Sequence, residues 1–316
     1  MRQLAIMSGN AHPHLAQEIC TILKIDQTQA SVGRFSEGEI SVRIKDNIRG
    51  KDVFIVQPTC APVNDNLMEI LIMLDAARRA SADRITVVLP YYGYARQDRK
   101  DQPRVPITAK LVANLIVAAG ANRVLTMDLH ANQVQGFFDI PVDHLYAINV
   151  LAEYFKEKKI DDLVVVSPDV GGIKMARAYA KRLSAPLAIV DKRRMSPEKT
   201  EVMHILGDVN GKNVVMVDDI IATGGSLVEA VTALKKFGAK GIYAAASHGV
   251  LSGPAKERIR ECKDLLEVVI TNSIPLKDAE QNPKIKQLSI APLLAEAIAR
   301  THNEESISSL FEEIRN

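Results

Sequence analysis

Residues Val214–Ala230 read VVMVDDIIATGGSLVEA. An apolar run ends on two adjacent carboxylates, Asp218 and Asp219, and Thr223, Gly224, Gly225 and Ser226 follow ahead of an amphipathic stretch. Small residues before a helix leave backbone N–H groups accessible, and the helix N-terminus adds a positive dipole end, which together suit a phosphate. The spacing is neither GxxxxGK[ST] nor GxGxxG, so it is neither a Walker loop nor a dinucleotide fingerprint. The carboxylates do not face that phosphate, but they can accept hydrogen bonds from sugar hydroxyls or hold a hydrated Mg²⁺. Phosphate and polyol recognition side by side point to a sugar phosphate. TGGS alone reads more simply as a capped turn; the Asp pair at the strand end favours a ligand site.

Other polar clusters follow apolar runs in the same way. Asp128 and His130 follow RVLTM, Asp169 follows LVVVSP, Lys192 follows LAIVD and YYGYARQDRK follows RITVVLP. Ligands of open parallel sheets bind outside the carboxyl ends of strands, so five clusters at such ends outweigh simple solvation. Asp128 and His130 could share a metal, although spacing alone favours a core or capping histidine. Asp169 fits an N-cap equally well. Lys192, Arg193 and Arg194 begin a long polar stretch, DKRRMSPEKTEVMH, that could close over phosphates or stay solvated. Arg96, Gln97, Arg99 and Lys100 suit phosphates and a base edge, or a solvated turn. Phe35, with Glu37 and Glu39 beside it, could hold a purine, or form a plain hairpin turn. His12 and His14 read as capping and surface residues, and His144, His204 and His302 show no sequence partners. No GxSxG elbow and no Cys–His pairing supports acyl chemistry.

Composition limits the partners. The 316 residues carry 40 Lys and Arg against 38 Asp and Glu, a net charge of +2, so no global field favours nucleic acid or an anionic membrane. Three separated cysteines support neither a disulfide framework nor a zinc site and fit a reducing, cytoplasmic setting. The opening MRQLAIMSGN has too short an apolar run for a signal peptide, and no stretch approaches a membrane span.

The elements that must position these residues alternate. Continuous apolar runs predict strands at QLAIMS, DVFIVQ, RITVVLP, RVLTMD, LVVVSP, LAIVD, NVVMVD, GIYAAAS and LEVVIT. Between them the pattern predicts helices over His12–Leu23, Asn66–Ala80, Ile107–Ala119, Gly171–Leu183, Ser226–Phe237 and Leu293–Arg300. Strands lacking polar alternation are covered on both faces, so the fold class is α/β with mostly parallel sheets flanked by helices. LIVAAGANRVLTMDLHA and LKKFGAKGIYAAASHGV share one order of elements, which predicts two similar domains, 1–148 and 149–316. The polar C-terminus, THNEESISSLFEEIRN, reads as a final helix.

With these residues in place, VVMVDDIIATGGSL resembles the phosphoribosyl-diphosphate motif of the type I phosphoribosyltransferase fold. DLHANQVQGFFDIPVD is similar to the signature of the ribose-phosphate pyrophosphokinases. FSEGE, NDNLMEILIM, PYYGYARQDRK, SPDVGG, DKRR and SHGVLSGPA match that family in order. The resemblance implies pyrophosphate transfer from Mg²⁺-ATP to the 1-hydroxyl of ribose 5-phosphate. It assigns Asp218, Asp219, Ala222, Thr223, Gly224, Gly225 and Ser226 to ribose 5-phosphate, and Lys192 and Arg194 to the transferring group. Phe35, Glu37, Gly38, Glu39, Arg96, Gln97 and Arg99 line the ATP site, with His130, Asp169 and Asp128 at the metal. The family usually has Asp where this chain has Ala222. The resemblance also implies a homo-oligomer, a hexamer built from dimers, and phosphate and ADP as effectors, with Arg49 and Ser306–Phe311 in the matching regions. A phosphoribosyltransferase and a non-catalytic homologue of the synthetase are the alternatives.

Overall fold

The computed structural model describes residues 2–193, 202–276 and 282–310. The chain forms two compact units, one of residues 1–146, 273–275 and 289–315, the other mainly of residues 147–272 and 276–288. The division at 146/147 lies beside the expected one, but residues from Ser289 onward return to the first unit.

In the first unit, strands β1 (Leu4–Ser8), β4 (Asp52–Val56), β5 (Arg84–Leu89), β6 (Arg123–Met127) and β7 (Val142–Leu145) make a parallel sheet in that order. All five residues of β4 are buried, Val53–Val56 as an apolar run covered on both faces and Asp52 as the partner of Arg84. β2 (Ala30–Arg34) and β3 (Ile40–Ile44) form a separate antiparallel hairpin. Helices α1 (Pro13–Leu23), α2 (Val63–Arg79) and α3 (Thr108–Ala119) belong to this unit, as does the returning α8 (Ala291–His302), which packs on α1. Pro13 opens α1, and the His12 ring accepts the Leu15 N–H, so His12 caps the helix as expected. α3 stops at Gly120, whose φ of 118° a side chain would resist. Ile70, Met73 and Leu74 of α2 and Val112 and Ile116 of α3 fill the core against Val53, Ile55 and Val87.

In the second unit, β8 (Leu163–Ser167), β9 (Leu187–Arg193), β10 (Val202–Leu206), β11 (Asn213–Ile221), β12 (Ile242–Gly249), β13 (Leu265–Thr271) and β14 (Ile285–Leu288) form one sheet, ordered β10-β9-β8-β11-β12-β13-β14. Every pairing is parallel except β9 with β10. Helices α4 (Ile148–Lys158), α5 (Ile173–Arg182), α6 (Gly225–Lys236) and α7 (Ala255–Glu261) complete it. β5-β6-β7 and β11-β12-β13 are matching runs of successive parallel neighbours, which is the repeat expected from the two helix–Gly-Ala–strand stretches. Among the described residues no helix is long and apolar enough to cross a membrane.

Candidate functional site

Asp218 and Asp219 lie in the last half of β11, which runs on to Ile221 rather than stopping at the carboxylates. Four buried residues, Val214–Val217, precede them and fix the strand in the core. Both Asp residues are half-buried, and the Asp219 N–H donates to Asp218 Oδ1 at 2.9 Å. Burial, then the neighbouring Asp219 charge and more weakly that of Asp169, push the Asp218 carboxyl up to about 8. A pair that resists double ionisation is suited to sugar hydroxyls or a cation, each of which offsets its charge.

The loop behind the pair is held on one side. Ile221 and Ala222 carbonyls accept from the N–H groups of Leu251 and Ser252, at 3.1 and 2.9 Å. Gly224 sits at φ 71°, the left-handed region that a glycine enters freely, and caps α6, which has no side-chain cap. The first N–H groups of α6 therefore have no side-chain acceptor at the cap. Thr223 and Ser226 are exposed, Ala222 and Gly225 half-buried. Arg258 of α7, which sequence reasoning missed, donates from Nη1 to the Thr223 carbonyl at 3.0 Å.

Asp169 is exposed in the turn after β8, where its Oδ1 accepts the Gly172 N–H at 2.8 Å. The turn-capping role is therefore realised, and it fixes the carboxylate near the carboxyl end of the same sheet. Small residues at 171 and 172 keep this turn close: a Cβ would come within 3.2 Å of Asp169 Oδ1 at the first and 2.9 Å of Ser167 Oγ at the second. Lys192 and Arg193 do not begin a loop, as DKRR suggested. They end β9, where Lys192 pairs with Met203 and Arg193 with Val202, because β10 folds back and supplies antiparallel partners. Arg194 lies outside the described residues.

In the first unit, Asp128 and His130 follow β6. Asp128 is buried with φ 36°, and His130 is exposed. A non-glycine residue in the left-handed region marks stored backbone strain, which collects at functional turns. His144, for which the sequence showed no partner, accepts the Leu129 N–H through Nε2 at 2.8 Å. His302, likewise without a sequence partner, places Nδ1 2.9 Å from Asp52 Oδ2. Both partners come from distant chain and could not be read from spacing.

Arg96, Gln97 and Arg99 are exposed on the loop after β5. The Gln97 carbonyl accepts the Ala109 N–H at 3.1 Å, and Thr108 Oγ1 donates to Gln97 Oε1 at 2.5 Å, which ties the loop to the start of α3. Gln133 Nε2 donates to Asp98 Oδ2 at 2.7 Å, so the loops carrying Gln97 and His130 meet at one sheet edge. Phe35, Glu37, Gly38 and Glu39 form the tip of the β2–β3 hairpin. Phe35 is 54 % exposed, unusually high for a phenyl ring, and Gly38 turns the chain with φ 96°. The Ser36 hydroxyl donates to Glu37 at 2.8 Å and lowers its carboxyl below the ordinary range. Arg34 anchors the hairpin to α2 through Asp65 at 2.8 Å.

Among the described residues no three His, Cys, Asp or Glu side chains form a metal cluster. Mg²⁺ needs no such cage, since it keeps waters and takes one or two carboxylates together with phosphate oxygens.

Parallel sheets with polar loops at their carboxyl edges, one of them the β11–loop–α6 turn behind paired carboxylates, define an α/β protein of the phosphoribosyltransferase-like class. A family model described as the N-terminal domain of ribose phosphate pyrophosphokinase matches residues 4–120, and one described as the phosphoribosyl synthetase-associated domain matches residues 190–312. A ribose-phosphate pyrophosphokinase of Clostridium perfringens is 56 % identical over 315 residues, covering 99 % of this chain and 98 % of the relative. That of Bacillus subtilis is 53 % identical over 310 residues, covering 98 % of each. The crystal structure of phosphoribosylpyrophosphate synthetase from Mycobacterium smegmatis superposes with a TM-score of 0.91 at 44 % identity, over 96 % of this chain and all of that one. The chain belongs to the ribose-phosphate pyrophosphokinase family.

Proposed function

We propose that the chain transfers the pyrophosphoryl group of Mg²⁺-ATP to ribose 5-phosphate. The 1-hydroxyl oxygen forms a bond to the β-phosphorus, the bond from that phosphorus to the oxygen bridging the α-phosphorus breaks, and AMP leaves. The hydroxyl proton is released, and the product is phosphoribosyl pyrophosphate. The carrying observation is identity above half with named pyrophosphokinases along almost the whole chain.

The residues suit that chemistry. Phosphoryl transfer needs alignment and charge neutralisation more than a protein nucleophile. The Thr223–Ser226 loop takes the 5-phosphate, and Asp218 and Asp219 take the ribose hydroxyls. Arg96, Gln97 and Arg99, with the Phe35–Glu39 tip, take ATP. Lys192 and Arg194 neutralise the transferring group. Mg²⁺, when bound with ATP, supplies charge neutralisation at the phosphates, and Asp128, His130 and Asp169 are the residues that would hold it. Assembly as a homohexamer of dimers, a cytoplasmic location, and control by phosphate and ADP complete the reading. Arg49, exposed with its N–H on Asn47 Oδ1, and Ser306, whose carbonyl accepts from Arg300 Nη1 at 3.1 Å, lie in the proposed effector regions. Phe311 lies outside the described residues.

AMP release from Mg²⁺-ATP, measured with and without ribose 5-phosphate and with no nucleobase present, tests the assignment. Sugar-dependent AMP is the expected result. Conversion of phosphoribosyl pyrophosphate and a nucleobase to a nucleoside monophosphate with release of pyrophosphate, in the absence of ATP, would make the chain a phosphoribosyltransferase, and no turnover in either assay would favour a non-catalytic homologue.

A further inference from the structure

The segment Leu251–Arg258 forms a backing for the phosphate loop. Ser252 N–H holds the Ala222 carbonyl at 2.9 Å, and Arg258 Nη1 holds the Thr223 carbonyl at 3.0 Å. The backbone of Ala255 lies only 3.4 Å from where a Cβ on Gly224 would sit, and Arg258 Nη1 is 3.3 Å from that of Gly225. Two successive carbonyls are therefore drawn to one side. The Ala222–Thr223 and Thr223–Gly224 peptides are trans, and in a trans peptide C=O and N–H point to opposite sides. Holding the carbonyls toward α7 turns the N–H groups of Thr223 and Gly224 to the other face, directly ahead of the start of α6, which has no side-chain cap. A guanidinium on the carbonyl further polarises the peptide and strengthens the N–H as a donor.

We propose that Arg258 is a positioning residue for ribose 5-phosphate, which orients and polarises the Thr223–Gly224 peptide so that its N–H meets the 5-phosphate. This deepens the assignment of the sugar phosphate to the Thr223–Ser226 loop and rests on it. Arg258 is exposed and its side chain fills no core, so its replacement leaves the fold intact.

The test is the steady-state kinetics of Arg258→Met, Arg258→Lys and Ser226→Asp, with each substrate varied against saturating amounts of the other. Arg258→Met keeps the aliphatic stem and removes the donor. It should raise the KM for ribose 5-phosphate about tenfold, the scale of one hydrogen bond to a charged group, while the KM for ATP and the Tm stay near the parent values. Arg258→Lys restores a charged donor and should recover part of that loss. A Met variant with both KM values unchanged, or both raised equally, overturns the inference. Ser226→Asp separates the two levels. An acidic residue at a helix start favours the helix but repels a phosphate, so it should raise the ribose 5-phosphate KM. If it does and Arg258→Met does not, only the role of Arg258 fails. If neither does, the sugar phosphate is not bound at this loop.

Discussion

The backbone N–H of Leu129 donates to Nε2 of the buried His144 at 2.8 Å, so one imidazole holds the turn between Asp128 and His130. The other ring nitrogen, Nδ1, lies 3.0 Å from Gln135 Nε2. Replacement of His144 by Ala leaves the Leu129 N–H without its acceptor, at a cost of about 1–3 kcal/mol. The expected result is a lower Tm and a raised KM for ATP, with the KM for ribose 5-phosphate little changed. His144→Gln, whose amide oxygen can still accept, should retain more of both. Equal loss on both substrates would show that His144 supports the fold without a particular hold on the nucleotide loop.

Asp218 gives a pH dependence whose sign follows from its raised carboxyl. The unfolded chain loses this proton near the ordinary 3.8, the folded one only near about 8. Below the lower value both forms are protonated and Asp218 adds nothing. Between the two the unfolded state is favoured increasingly as pH rises, and above the upper value the penalty is constant. Asp218→Asn removes the ionisation. It should therefore leave Tm unchanged at pH 3 and raise it at pH 8 in ligand-free enzyme, while activity falls because a sugar-binding oxygen is lost. A Tm gain that is the same at both pH values would show that the effect is packing and not charge.

Buried Asp52 accepts two hydrogen bonds from Arg84, at 2.8 and 2.5 Å, and contacts His302, while Arg84 also donates to the Thr301 carbonyl at 2.9 Å. This joins the end of α8 to β4 and β5 and accounts for the return of residues after Ser289 to the first unit. Arg84→Met strands a buried carboxylate and should destabilise by roughly 3–5 kcal/mol. Adding Asp52→Asn should recover much of that loss in denaturant unfolding. A double variant no better than Arg84→Met would mean that the packing of the Arg84 stem, and not the ion pair, holds α8.

Much of the fold was legible because the central strands carry unbroken apolar runs, and all nine expected strands formed. The elements that escaped have weak local signals. β7 is only four residues and half polar, β2 carries a glycine, and α7 buries just Ala255 and Ile259 among charged neighbours. α4 spans the point chosen as a domain boundary, since nothing in Ile148–Lys158 marks a linker. Site residues adjacent in sequence, such as Asp218, Asp219 and Thr223–Ser226, could be found from type and spacing. Their supports could not: Arg258 lies 35 residues from Thr223, and His144 lies 15 from Leu129. An arginine in a charged heptapeptide carries no mark of the carbonyl it will hold.

Lys192 stands at the end of β9, two residues along the strand from Val190 in the buried core. Its backbone is fixed by pairing with β10, so its replacement changes charge and not strand geometry. Lys192→Ala should lower kcat by about a hundredfold or more, the scale of removing one transition-state donor, with Tm and both KM values close to the parent. Retention of near-full turnover would remove Lys192 from the transfer step.

Ala222 tests whether the phosphate loop depends on a third carboxylate. Its carbonyl is held by Ser252 N–H and its residue is half-buried at the end of β11, so the backbone course is set without help from the side chain. Asp can therefore replace Ala there without refolding the loop. The new carboxylate would stand three residues beyond Asp219, close to a pair that already resists full ionisation, and only a cation or the hydroxyls of a bound sugar offset such charge. Ala222→Asp should thus lower the Tm of the ligand-free protein, most near pH 8, where the Asp218 carboxyl loses its proton. It should also lower the KM for ribose 5-phosphate, the direction expected if the family's usual Asp contacts the sugar. Thermal unfolding with and without ribose 5-phosphate reads both effects, since a ligand bound more tightly raises Tm more. A variant with reduced Tm and no improvement in ribose 5-phosphate binding would show that alanine at this position is the better fit to this loop.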